Sequence, residues 1–468
     1  MSQFSSNESE RPLSQYHGAI GDFVKILSTM MLGAAAVSAT AFSLAGCHDI
    51  LGAKYSVGGT LTGLVGSGLV LQDNSGNDLP LDSNGGFAFS GGLDNGAAYS
   101  VTVSTQPSNP TQSCSVRNGS GAIDRANVTN VIVSCTQTGR FAFVANQLSN
   151  NISAFAINAA TGALVPLSGS PFAATGTTPT ALAVDPNGEF LYVANNGSGS
   201  VSVFSIDFTS GALTAVGLPT AAGSGPGAIC IDPTDHYLFV ANLVSNDVSV
   251  YSIDNGTLTQ ITGSPFSVGA EPAALTIDPN GNFLYVANFN GANVAVFAID
   301  LGNGSLSNIS GSPFGAGGGP LSVAIDPTDS FAYVADEAAG SISEYSLNAA
   351  TGALTALSGS PLAVGSNPES LAVDPAGRYV YAANVAANEI ASYSITPASG
   401  TLSLLSSAGA GTLPINLVVD PSGQFVYAAN YNSGDISAYT VDAATGVLTA
   451  VVGSPFGAGG NPHSIAID

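Results

Sequence analysis

An all-β chain, most of it a closed ring of seven four-stranded sheets, is what the sequence predicts, and three observations predict it. A short apolar segment recurs seven times at intervals of 46 to 49 residues. The 57 glycines and 25 prolines accompany only 8% charged residues, which suits short strands joined by tight turns rather than helical bundles or charge-driven disorder. Apolar runs of strand length are bounded throughout by Gly, Pro, Asn and Asp. At 468 residues the chain has room for two domains.

The amino terminus carries export information rather than fold. After a polar leader ending at Lys25, residues 26–46 run 21 positions without a charge and close on Leu44, Ala45, Gly46 and Cys47. This ending resembles the lipobox of bacterial lipoprotein signal peptides. The resemblance implies a signal peptide over 1–46, a diacylglycerol on Cys47 and a lipidated linker over 47–53. About 20 apolar residues also suffice for a transmembrane helix; the small residues and the cysteine where cleavage would fall favour the lipoprotein. More than one acyl chain gives stable anchoring. His48 after the modified cysteine points, by analogy, to the outer membrane, so a membrane-held protein of the periplasm or cell surface is expected.

Residues 54–137 read as a small β-domain. Tyr55–Val57, Leu69–Leu71, Phe87–Phe89, Tyr99–Val103 and Val131–Cys135 alternate or cluster apolar residues between turns, and an immunoglobulin-like β-sandwich is the simplest architecture. Cys114 and Cys135 fall on two of its strands outside the reducing cytoplasm, so they are expected to pair and to close a loop worth about 3 kcal/mol. Cys230 occupies a position that holds small residues in the equivalent segments, which makes it an inert packed thiol. No chemistry is visible in this domain, and a spacer role is expected.

Residues 138–468 carry the repeat. Phe141–Asn146 recurs in segments ending at Asn195, Asn242, Asn288, Asp336, Asn384 and Asn430, and a second element, from Pro179 to Asp185, recurs seven times, ending finally at Asp468. Between the two elements stands Asp-Pro-Asn-Gly or a relative, where Pro presets φ and Gly accepts positive φ, so the elements form a hairpin. A third strand such as Ser200–Asp207 and a fourth near Gly211–Ala215 complete one blade, and seven blades make a seven-bladed β-propeller. The repeat opens on a second strand at Phe141 and ends on a first strand at 464–468, so these are expected to share one blade and lock the ring.

The Tyr-Val-Ala-Asn strands, the Asp-Pro-x-Gly turns and the Gly-Ser-Pro-Phe connectors (Gly169–Phe172, Gly263–Phe266, Gly311–Phe314, Gly453–Phe456) resemble the seven-bladed lactonase family, which includes 6-phosphogluconolactonases, and the related YVTN surface propellers. These motifs are strand and turn residues, specific for architecture and not for activity. Propeller ligands bind where loops converge at the channel mouth. The Asp-Pro turns define a lower face, and the residues flanking the pre-strand Pro define an upper mouth holding Thr180, Glu271, Asn367, Glu369, Asn461 and His463. Glu369 and His463 are the ionisable pair at the innermost position, and a carboxylate with an imidazole can supply the general base of lactone hydrolysis. Asn461-Pro462-His463 also resembles the His-containing pre-strand segment of the lactonases. Glu369 and His463 lie two blades apart, so a bound molecule would have to sit between them.

Charge excludes several functions. Arg140 and Arg378 are the propeller's basic residues against 22 acidic groups, a net −20, so nucleic acid is excluded and a sugar-phosphate dianion lacks its charge-assisted partners. No closely spaced His or Cys set could hold zinc, and no cofactor is expected. The ring of Asn and Asp ending the second strands is too wide for one ion and is expected to bond turn backbone. Two functions follow: a monomeric surface propeller that binds a polysaccharide or protein, or a hydrolase of a small neutral lactone with Glu369 and His463 as base and orienter.

Overall fold

The computed structural model describes residues 54–64, 67–107, 112–137 and 141–468; the lipobox and Cys47 lie outside them. The small domain is a β-sandwich. One sheet joins Gly85–Ala88, Val57–Thr62, Val128–Gln137 and Gln112–Arg117, and the other joins Asn77–Leu81, Leu69–Asp73, Ala98–Thr105 and Ser120–Ala122. Val57, Leu61, Leu69, Leu71, Val131 and Val133 fill the space between them. Cys114 stands opposite Cys135 in an antiparallel pair, and the two form the expected disulfide. Asn77–Leu81 and Ser120–Ala122 are strands that the sequence pattern did not suggest, because they have no buried face to impose an apolar alternation.

Seven sheets follow, numbered here as blades by their innermost strands: Pro462–Ile467 (blade 1), Pro179–Val184 (2), Pro226–Ile231 (3), Pro272–Ile277 (4), Pro320–Ile325 (5), Pro368–Val373 (6) and Pro414–Val419 (7). Each innermost strand neighbours the next around a closed circle. Blade 1 is mixed, as expected: Pro462–Ile467 pairs antiparallel with Phe141–Asn146 from the start of the ring. Five of the seven second strands, Phe141–Asn146 and Phe283–Asn288 among them, are buried at every residue because both sheet faces meet neighbouring blades.

Side chains stitch blade to blade. The Tyr285, Tyr333 and Tyr427 hydroxyls donate to the carbonyls of Gly352, Gly400 and Gly162 in the next blade at 3.1, 2.7 and 2.9 Å. Those loop positions require glycine: Gly400 has φ +73°, and a Cβ there would lie 2.1 Å from the Phe331 ring. Along the channel, Ser322, Ser370 and Ser464 accept hydrogen bonds from the backbone N–H of Leu371, Leu417 and Leu182, and Asn416 accepts one from Ile465.

The outer edges depart from the expected single fourth strand. In six blades the edge is split, as in Leu164–Pro166 and Phe172–Ala173, which both pair with Asn151–Ile157. Serines of five connectors take over part of the ladder; Ser170 Oγ, for example, accepts from the Ala154 N–H at 2.9 Å. Blade 6 lacks that connector and runs as one eight-residue strand, Leu402–Gly409, whose first N–H donates to the buried Glu344 carboxylate of blade 5 at 2.7 Å. The Asn ring also differs from expectation. Asn146, Asn242 and Asn430 donate mainly to side chains of the third strand, Asn146 to Asn151 Oδ1 and Ser153 Oγ at 2.8 and 2.9 Å. The residue five on lies directly across the hairpin, and the serine seven on is the next residue on the same face of that strand.

Candidate ligand-binding mouth of the channel

At the lower face, each Asp-Pro turn is built by its own aspartate. Asp185 Oδ1 accepts the N–H groups of Glu189 and Phe190 at 2.7 and 2.8 Å, and Asp326 repeats this with Ser330 and Phe331. Asp468 completes the set by accepting the Phe141 N–H at 2.8 Å. Arg378 is held here, on Asp374 at 3.1 Å and on the Ala443 carbonyl at 2.7 Å. Arg140 lies outside the described residues.

At the upper face a repeated irregularity aims side chains. In all seven innermost strands the register shifts at the residue after the proline, so that this residue is bulged out of the ladder. A bulge turns its side chain away from the pleat and is a recurrent device beside functional sites. The bulged residues are Thr180, Gly227, Ala273, Leu321, Glu369, Ile415 and His463. The residue before each proline has a left-handed backbone, from Asn367 (φ +50°) to Gly225 and Gly319 (φ +68°). Its carbonyl accepts the N–H that follows the second strand, as Asn461 does from Gln147 at 2.9 Å.

These positions sort the residues expected at the mouth. Thr180 is buried, and its hydroxyl is spent on the Pro226 carbonyl at 2.9 Å. Glu271, Asn367 and Asn461 are the left-handed turn residues. The Glu271 carboxylate accepts from Asn290, and the Asn367 amide donates to Glu337 at 2.8 Å. Glu369 and His463 are the two ionisable bulge residues. Blade 7, with Ile415 as its bulge residue, stands between them, and no hydrogen bond joins them among the described residues.

Each has a neighbour that the sequence reading did not single out. Burial, reinforced by the charge of Glu337 on the adjoining blade, pushes the Glu369 carboxyl up to about 7. His463 Nδ1 lies 2.8 Å from the Thr180 carbonyl, and the Tyr431 ring meets the imidazole edge-on at 6.0 Å. Tyr431 is itself fixed by donating to Gln147 Oε1 at 2.5 Å. Burial pulls the His463 pKa below its ordinary value, which keeps the ring neutral. Gln147, Glu337 and Tyr431 share one repeat position, directly after the Asn or Asp that ends the second strand; that shared position was the signal available in the sequence. Cys230 is a free thiol whose pKa is raised by burial and by nearby Asp232.

Comparison with known proteins places this geometry in context. The sequence profile described as "Lactonase, 7-bladed beta-propeller" matches residues 87–270, 260–368 and 312–462. No curated protein matches the chain. Among solved structures, a candidate 6-phosphogluconolactonase from Bacteroides uniformis superposes with a TM-score of 0.63 at 23% identity, over 71% of this chain and 100% of that one. A periplasmic gluconolactonase from Pseudomonas aeruginosa gives 0.61 at 20% identity, over 70% and 98%. Hydrazine synthase from Kuenenia stuttgartiensis gives 0.52 at 21% identity, over 65% and 93%. Identities this low speak for the fold alone, and one fold hosts many chemistries.

Proposed function

The chain belongs to the seven-bladed lactonase β-propeller family, and from that premise we propose that it is an exported, lipid-anchored binding protein whose upper channel mouth takes an uncharged partner. The observation that carries this reading is the electrostatics of the mouth. Its innermost ionisable groups are Glu369, beside Glu337, and a neutral imidazole, while Arg378 is engaged at the opposite face. A phosphorylated or carboxylated ligand would meet repulsion there instead of the bidentate cation that such groups normally find. The membrane anchor rests on the lipobox-like Leu44 to Cys47. Replacing Cys47 by Ser should move the protein from the membrane fraction to the soluble fraction, with loss of the mass of the acyl chains; an unchanged membrane fraction would contradict the lipid.

One observation favours a second reading. A carboxyl held near 7 is matched to general-base work at neutral pH, so hydrolysis of an uncharged lactone is the alternative activity, with Glu369 as base and His463 as orienter. A panel of neutral and phosphorylated lactones separates the two. The binding reading expects no turnover of any of them. Turnover that falls by about 100-fold or more in both Glu369→Ala and His463→Ala would establish the hydrolase instead.

A further inference from the structure

We propose that the partner of the mouth is a neutral polyol, a sugar unit of a glycan, which donates hydroxyl hydrogens to His463 Nε2 and to the Glu369 carboxylate while an apolar face lies over Ile415. This rests on the binding reading above and names the ligand class for the same site. The Thr180 carbonyl can only accept a hydrogen bond. His463 Nδ1, 2.8 Å away, must therefore carry the ring hydrogen. A neutral imidazole so fixed has a lone pair on Nε2, and no described residue donates to it. Glu369 likewise receives no hydrogen bond from the described residues, and above about pH 7 its carboxylate is ionised and can only accept.

Both ionisable groups among the seven bulge residues thus ask the ligand for donors, the Thr180 hydroxyl being spent on the Pro226 carbonyl. Between them in the ring stands Ile415, 9% exposed, with Tyr431 at the rim. Around the circle the order is acceptor, apolar, acceptor. A pyranose has the complementary pattern, with hydroxyl groups at its edge and C–H groups on its face. An anion offers acceptors where donors are needed, and a lactone carbonyl finds no donor on either bulge side chain. Burying an acceptor opposite another acceptor leaves both unsatisfied, which is the costly outcome.

The test is calorimetric binding of full-length protein to neutral α- and β-linked glucan oligosaccharides and to the matching uronic-acid oligosaccharides. A neutral glucan is expected to bind, with its uronic-acid counterpart about tenfold weaker or worse. His463→Ala and Glu369→Gln should each weaken the neutral glucan about tenfold, in protein that still unfolds cooperatively. Affinity should also fall in acid, as the carboxylate and then Nε2 gain hydrogens and cease to be pure acceptors. Equal or tighter binding of the uronic acids, or failure of every neutral glucan to bind, would overturn the proposal. Glucan binding indifferent to both substitutions would overturn it while leaving a binding role for another surface. Lactone turnover would remove the binding reading itself.

Discussion

Between about pH 8 and about pH 5 the propeller should become more stable as acid is added, by several kcal/mol in all. Most proteins lose stability in that direction because their paired carboxylates are protonated. Here burial raises folded-state carboxyls instead: Asp185, Asp278 and Asp336 to about 6, and Asp235 and Glu369 to about 7. The sign follows from proton counts. Above about 7 both states are ionised, and the folded chain bears the desolvation cost. As pH falls through the raised values the folded state takes up protons that the unfolded state, titrating near 3.8 to 4.5, does not, so stability rises through that window. Each pH unit of that difference is worth about 1.4 kcal/mol per group. His463 opposes the trend: its lowered pKa means that stability is lost as pH falls through the ordinary value of 6.5. One imidazole does not offset five carboxyls.

Asp336 provides a single-residue check. The other six blades carry Asn at this position, where the amides of Asn146, Asn195, Asn242 and Asn430 donate to a serine of the third strand. Asp336 instead accepts from Ser341 and Ser343, at 3.3 and 2.7 Å. Asp336→Asn should therefore stabilise the protein by about 2 kcal/mol near pH 8 and by little near pH 5. Chemical denaturation at both values measures it. Equal effects at the two would show that Asp336 is ionised in the fold at both.

Deleting residues 461–468 should open the ring and destroy its cooperative unfolding. The lost strand supplies the inner edge of blade 1, pairing from Pro462↔Asn146 to Ile467↔Ala142, and buries Ile465 against Tyr427 and Ala429 of blade 7. It also provides Ser464, which accepts from the Leu182 N–H, and Asp468, which accepts from the Phe141 N–H. With them go the contacts of blade 1 with both neighbours along the channel. What remains is an exposed second strand, Phe141–Asn146, apolar up to Ala145, with an unpaired edge, which is an aggregation template. Limited proteolysis should accelerate at least about tenfold, with first cuts in blades 1 and 2. Proteolysis at the original rate would mean that the remaining blades close without this strand. A milder variant, Ser464→Ala, removes one interblade acceptor and should cost about 1 kcal/mol, which reports on closure in a chain that still folds.

Much of this molecule was legible before any coordinates. Period and composition carried the seven sheets, the mixed blade and the Cys114–Cys135 pairing, because each depends on local pattern: strand length, turn residues, or two cysteines on one small domain. Glu369 and His463 were also legible, as the ionisable residues at one repeat position. Their surroundings were not. Glu337 lies 32 residues before Glu369, and Tyr431 lies 32 before His463. Only the lateral packing of successive blades places each pair at one point on the mouth.

The linear chain thus decided how many sheets form and how they close, since strands and turns are encoded by contiguous residues that must satisfy their own backbone hydrogen bonds. The three-dimensional arrangement alone decided what the mouth can recognise. A bulge lifts Glu369 and His463 out of their ladders, and the carbonyl of Thr180 on the next blade settles which nitrogen of His463 keeps its hydrogen. Both outcomes depend on groups that meet only through folding, and the second joins atoms 283 residues apart.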